Sequence, residues 1–201
     1  MLVKHNNNSI SDITTPGSLA QGKMTLISSQ TASGSASIEF TSGIDSTYPI
    51  YKFEFINIHP ATDNAGFQFN MSTDGGSNYN VTKTTTFFRS YHNESDTETS
   101  LEYQTAHDLA QGTGYQTILN EIGADNDQSC SGTLQLFNPS SDTFVKHFIA
   151  NGNVYNSSNY SINYYVAGYG NTVSSIDAVK FVMSSGNIDS GTIKLYGIKG
   201  D

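Results

Sequence analysis

Apolar and polar residues alternate along much of this chain, most clearly over residues 48–80. Tyr51, Phe53 and Phe55 alternate with Lys52 and Glu54, and Phe67, Phe69 and Met71 alternate with Gln68, Asn70 and Ser72. A period of two with aromatic residues on one side predicts strands that bury one face and wet the other. Pro60 closes the first of these strands, because proline cannot donate to a ladder. Weaker versions of the pattern predict strands at 24–28, 37–40, 132–137, 143–150, 160–167, 178–183 and 192–198, with a threonine-rich strand region over 78–88. Asp74-Gly75-Gly76-Ser77 predicts a hairpin, since glycine takes the positive φ that tight turns need. Residues 89–128 are the least regular. They hold a polar loop from His92 to Glu98, a helical turn or bend at His107–Gln111, an ambiguous stretch at 115–122 and a turn at 123–127. Residues 151–159 read as a polar loop and residues 168–172 as a turn.

About nine or ten strands with regular turns, and no helical crossover long enough for a parallel arrangement, predict a fold class of all-β. The expected architecture is an antiparallel two-sheet β-sandwich, jelly-roll-like. No fixed-period repeat occurs, which disfavours a propeller or solenoid. Residues 1–23 carry little apolar pattern and one Pro16-Gly17 turn, so they are expected to form an extended N-terminal arm. Such an arm is floppy unless it docks, either on its own domain or on a partner chain. Leu2, Val3, Ile10 and Ile13 are its candidate anchors, and residues 24–201 form a single sandwich domain.

Composition narrows the picture. Charged residues make up only 13% of 201, and Ser, Thr, Asn and Gly fill the surface instead. Twelve Tyr and 11 Phe supply core, which argues against disorder. The net charge of −9, with Arg89 the sole arginine, argues against nucleic acid and against anionic membrane surfaces, because phosphate contacts need clustered Lys and Arg. The single cysteine, Cys130, excludes an intrachain disulfide. The first residues hold an Asn6-Asn7-Asn8 run and no apolar stretch like that of a signal peptide, so synthesis in a cytoplasm is expected. No apolar run approaches the ~18 residues of a membrane span, so no membrane insertion is expected.

Candidate chemistry is sparse. His92, Glu94, Asp96 and Glu98 would share one side of an extended backbone and could offer oxygen ligands to a divalent ion. A solvated loop is the simpler reading. Asp125-Asn126-Asp127 has the same ambiguity, with a side-chain-stabilised turn preferred. The five histidines show no metal-ligand spacing. There is no Gly-x-Ser-x-Gly elbow and no phosphate-cradling loop. Glu39, Glu54, Glu102 and Glu121 are available for glycoside hydrolysis, but nothing singles out a pair. No catalytic residue, cofactor or metal site is therefore expected. Tyr155, Tyr160, Tyr164, Tyr165 and Tyr169 cluster along the chain. Alternate members should be core, and the others are candidates for a protein interface or for stacking on sugars.

Several stretches carry a resemblance. They are Phe40-Thr41-Ser42-Gly43-Ile44-Asp45-Ser46-Thr47-Tyr48, Phe55-Ile56-Asn57-Ile58-His59-Pro60 and Ser72-Thr73-Asp74-Gly75-Gly76-Ser77-Asn78-Tyr79. Leu136-Phe137-Asn138-Pro139-Ser140-Ser141 and the closing Gly191-Thr192-Ile193-Lys194-Leu195-Tyr196-Gly197-Ile198 complete the set. From Met24 onward the chain resembles accessory structural proteins encoded by tailed bacteriophages, marine ones especially. These are turn and strand signatures, not catalytic ones. The resemblance implies a non-enzymatic virion component on the particle exterior, either a tail-fibre or spike component or a capsid decoration protein. By analogy it implies a homotrimer, attached through the arm to another virion protein of capsid or tail. The alternatives are a module that binds host-surface glycan and a polysaccharide depolymerase.

Overall fold

The computed structural model describes residues 24–199. The proposed arm, with Leu2, Val3, Ile10 and Ile13, lies outside the described residues.

The aromatic alternation produces strands where it predicts them. Strands β1 (Met24–Ser35), β2 (Ile38–Phe40), β3 (Ile50–Pro60), β4 (Ala65–Ser72), β5 (Lys83–Asn93) and β6 (Thr99–Tyr103) make the first half. The second half is β7 (Gln116–Ile122), β8 (Cys130–Phe137), β9 (Lys146–Tyr155), β10 (Tyr160–Gly170), β11 (Ala178–Met183) and β12 (Ile188–Ile198). No described residue is helical. All pairings are antiparallel, in one sheet of order β1-β12-β3-β8-β9-β10-β5-β6 and one of order β2-β11-β4-β7. The expected sandwich is present, with twelve strands rather than nine or ten.

The strand order contains a jelly roll. β1 pairs β12 and β3 pairs β8 in the large sheet, while β2 pairs β11 and β4 pairs β7 in the small one. Each early strand thus meets a late strand, and successive pairs fall in alternate sheets, as when a doubled ribbon is wrapped around a core. The remaining strands are two inserted hairpins. β5–β6 lies between β4 and β7 in sequence, and β9–β10 lies between β8 and β11. β9 joins the ribbon along β8, and β10 carries β5 and then β6 beyond it, widening one sheet from four strands to eight.

The core lies between the sheets and is aromatic. Phe181 on β11 sits at its centre, with ring centroids of Phe53, Phe55 and Phe67 at 5.2, 5.3 and 5.5 Å and those of Phe40 and Phe69 farther out. Edge-on and offset contacts of this kind add to what burial alone provides. The edge strand β7 packs across β9 where side chains are missing. A Cβ on Gly152 would lie 2.9 Å from Leu119 Cδ2 and 2.7 Å from the Ser131 carbonyl oxygen, so only glycine lets the layers approach this closely.

Three local expectations need correction. The Asp74–Ser77 turn forms, but β4 and β5 lie in different sheets, so it starts a crossover and not a hairpin. Its conformation is held by the Asp74 carboxylate, which accepts from Asn78 N at 2.8 Å, and by Asp177, which accepts from Gly75 N at 3.0 Å. Residues 151–155 are strand, not loop. Asn151 and Asn153 tie their side chains to the β10 backbone, donating to the carbonyls of Tyr164 and Ile162, so amides stand where apolar residues were sought. Residues 168–170 continue β10, where glycine leaves room for the Thr84 carbonyl and Thr85 beside Gly168.

The jelly-roll end of the inserted hairpins buries two lysines. Lys83 and Lys146 flank Gly170 in register, and neither is exposed. Lys83 Nζ donates to Asn70 Oδ1 at 2.6 Å and to the Val81 carbonyl at 2.7 Å. Burial lowers its pKa to about 8. Lys146 Nζ donates to the carbonyls of Ser141 and Phe144, and burial lowers its pKa as well.

Candidate functional site

The inserted hairpins hold all five candidate tyrosines on β9 and β10. Period-two geometry sorts them by face. Tyr164 points inward and is 0% exposed, so it is core and leaves the candidate interface. Tyr165 and Tyr169 stand on the outer face of the large sheet, and Tyr155 lies half-buried with its hydroxyl on Asn159. Tyr160 lies half-buried at the start of β10 and lines a pocket on the inner side.

The outer face carries one contiguous apolar patch. In the ladder Tyr103 stands opposite Phe88, and Phe88 opposite Tyr165. Phe88 and Tyr165 stack with centroids 5.4 Å apart and planes 6° from parallel. Leu101 and Ile149 are their diagonal neighbours, and all five are well exposed, Leu101 at 73%. Around Ala167 the patch dips into a depression of about 470 Å³ walled by Tyr169, His147, Phe137 and Ile149. The row through Tyr165 continues over Asn151, Thr133, Glu54 and Lys194, so it changes from aromatic to amide to charged across the sheet. Next to the patch, Asn151 donates to Asn163 and Asn153 to Ser161.

The inner side of the same hairpins forms a different site. β7 packs over β9 and β10, and β5 and β6 lie beyond it, which leaves part of their inner face uncovered. A pocket of about 240 Å³ opens there, lined among others by Arg89, Tyr91, Glu98, Glu121, Asn156 and Tyr160. Arg89 Nε meets Glu102 at 2.7 Å and its Nη1 meets Glu121 at 2.6 Å. Burial works against the guanidinium charge, but its bond to Glu102 and the charge of Glu121 outweigh it and raise its pKa. The guanidinium covers one face of Tyr91 at 5.2 Å, and Tyr160 meets Tyr91 edge-on at 5.6 Å. The Tyr160 hydroxyl donates to Glu98 Oε2 at 2.6 Å, and this bond raises its pKa. Behind Arg89, the Tyr164 hydroxyl is the one buried side-chain polar atom without a partner among the described residues. It stands beside the guanidinium, but no hydrogen bond between them has acceptable geometry. Burial, then the Glu121 charge, raises its pKa.

The ion-site candidates disperse. His92 pairs with Asp96 at 3.0 Å, Glu98 turns to Tyr160, and the Asp125–Asp127 turn is closed by Gln128. Among the described residues no group of three or more His, Cys, Asp or Glu is arranged to hold a metal. All four glutamates considered for hydrolysis are ion-paired: Glu39 with Lys180, Glu54 with Lys52, and both Glu102 and Glu121 with Arg89.

Sequence reasoning missed Phe88, Leu101, Tyr103, Tyr91 and Glu98 as parts of these surfaces. The available signal was Phe87-Phe88, a doublet that must place one ring on each face of a strand. The solitary Arg89, two residues before an aromatic in the same phase, was a second. Comparison with known proteins finds no matching family model, no similar curated protein and no similar solved structure.

Proposed function

We propose that this protein is a non-enzymatic structural component on the exterior of a tailed bacteriophage particle, a tail-fibre or spike subunit or a capsid decoration protein. In this reading several copies associate, as a homotrimer, and residues 1–23 tie the assembly to a neighbouring virion protein. The observation that carries it is the outer patch of Leu101, Tyr103, Phe88, Tyr165 and Ile149. Exposed uncharged side chains that form one continuous, aromatic-rich area, here with the Asp108 carboxylate at its rim on the Tyr103 hydroxyl, are typical of the centre of a protein interface. For a chain of net charge −9, an uncharged patch is also where copies meet with least repulsion.

Sedimentation of the purified chain tests the assembly. The expected mass is three times that of one chain, falling to the monomer in the double variant Phe88→Ser with Tyr165→Ser. A monomer at every concentration overturns the trimer. Imaging of particles labelled with an antibody to this chain tests the placement, and its absence from purified particles overturns the virion role.

A further inference from the structure

We infer that the pocket beside Arg89 is a recognition site for a saccharide residue without negative charge. The inference rests on the reading of this chain as an exterior attachment module and gives that module a ligand. Four observations converge on it. The pocket of about 240 Å³ is smaller than the roughly 300–1,000 Å³ of sites for drug-sized ligands, and suits one sugar ring of a longer chain. Its walls combine aromatic rings, Tyr91 and Tyr160, with acceptors and donors from Glu98, Glu121, Asn156 and Ser158. That mixture matches a pyranose, whose C–H face packs on an aromatic ring while its hydroxyls need directional partners.

The acceptors are held in place but not exhausted. Tyr160 engages Oε2 of Glu98 and Arg89 engages Oε2 of Glu121, and Oε1 of each carboxylate is not used in these bonds. A carboxylate fixed by one oxygen can accept a sugar hydroxyl with the other at little entropic cost.

Charge sets the specificity. Glu98, Glu102 and Glu121 face a single cation, Arg89, which is already bonded to two of them. Two carboxylates offset the guanidinium charge, which makes it a poor anion clamp, and the acid excess repels uronic, sialic or sulfated residues. Neutral and amino sugars remain.

The test is saturation-transfer NMR on the full chain. The probes are oligosaccharides of glucose, galactose, N-acetylglucosamine and glucosamine, with oligogalacturonate as the anionic probe. Binding to at least one uncharged or amino sugar is expected, with none to oligogalacturonate. Glu98→Gln and Tyr160→Ala should each weaken that binding by about tenfold or more, as loss of a charge-assisted hydrogen bond or an aromatic wall would. Phe144→Ser, at an exposed site by the other end of the strands, should leave it unchanged. Thermal unfolding of each variant separates lost binding from lost fold, and Glu98→Gln keeps the test alive if Tyr160→Ala does not fold. No binding to any neutral or amino sugar overturns the proposal, as does binding that survives Glu98→Gln in a folded protein, or preference for oligogalacturonate. Each of these three failures leaves particle imaging and the oligomer mass untouched, so the virion reading is judged separately.

Discussion

Lys83 makes stability depend on alkaline pH in a direction opposite to most surface lysines. Its ammonium is taken out of water into the sandwich and meets Asn70 Oδ1 and the Val81 carbonyl, and among the described residues it forms no ion pair. Neutral acceptors do not replace lost hydration of a charge, so the folded protein binds this proton less tightly than the unfolded chain. Its pKa falls from 10.5 to about 8. At about 1.4 kcal/mol per pH unit, the folded state carries a penalty of about 3 kcal/mol when Lys83 is charged in both states. Above pH 10.5 the amine is neutral in both states and the penalty is absent. As pH falls from 10.5 to 8 the unfolded chain takes up the proton first, and stability drops through that window. Below pH 8 the contribution is flat. The comparison is Lys83→Met, which keeps most of the volume and does not titrate. Urea unfolding followed by circular dichroism at pH 7, 8, 9, 10 and 11 gives the difference between wild type and variant. That difference should shift by about 3 kcal/mol in favour of wild type between pH 8 and 10.5. Taking the difference cancels the tyrosines, whose raised pKa values lower stability at high pH in both proteins. Parallel pH profiles for the two proteins would refute the argument and mean that water reaches the Lys83 ammonium.

Three other outcomes follow from the packing. Phe181→Ala removes the ring on which five others converge, and should cost about 3–5 kcal/mol in urea unfolding; a loss under about 1 kcal/mol would mean that the core closes around the gap. Arg89→Met strands Glu102 and Glu121, which are partly exposed, so its cost should be about 1–3 kcal/mol, with part recovered by adding Glu121→Gln in a double-mutant cycle. Cys130 is buried, and burial pushes its thiol pKa up, so a thiol-reactive dye should label it only in denaturant; rapid labelling of the native protein would place β8 at the surface.

Much of the ribbon was legible because its strands are amphipathic. Ala65–Ser72 and Ala178–Met183 stand as strands where the alternation puts them, although in β4 the polar face is buried as well: Asn70 and Ser72 are 0% exposed and only Gln68 is partly open. The inserted hairpins were harder to read. Along Asn151–Tyr155 the inward positions are Gly152 and Val154 and the outward ones are Asn151, Asn153 and Tyr155, so glycine inside and tyrosine outside nearly erase the contrast that marks a strand. β7 is buried at four consecutive residues, Gln116 to Leu119, and therefore shows no period of two. The tyrosine cluster was visible, but its division into core, patch and pocket depends on phase, and a one-residue slip exchanges Tyr164 for Tyr165.

The jelly roll itself is a closed design that needs only β1–β4, β7, β8, β11 and β12. Every residue of the outer patch, and the aromatic and basic walls of the pocket, belong instead to β5, β6, β9 and β10. This separation has a physical cause. β9, β10 and the near part of β5 still bury apolar inner residues such as Phe148, Val166 and Phe87, but where the added strands pass the span of the partner sheet the inner face is closed by a polar network, Arg89 with its two glutamates. Their outer face has no structural duty at all, yet it carries Phe88 and Tyr165 in contact instead of the charges that keep an exposed sheet soluble. A solvent-facing aromatic stack on an edge extension brings an aggregation hazard to a monomer and an interface to an assembly. In the proposed reading, the same two hairpins supply both surfaces, the outer one for copies of the chain and the inner one for a saccharide.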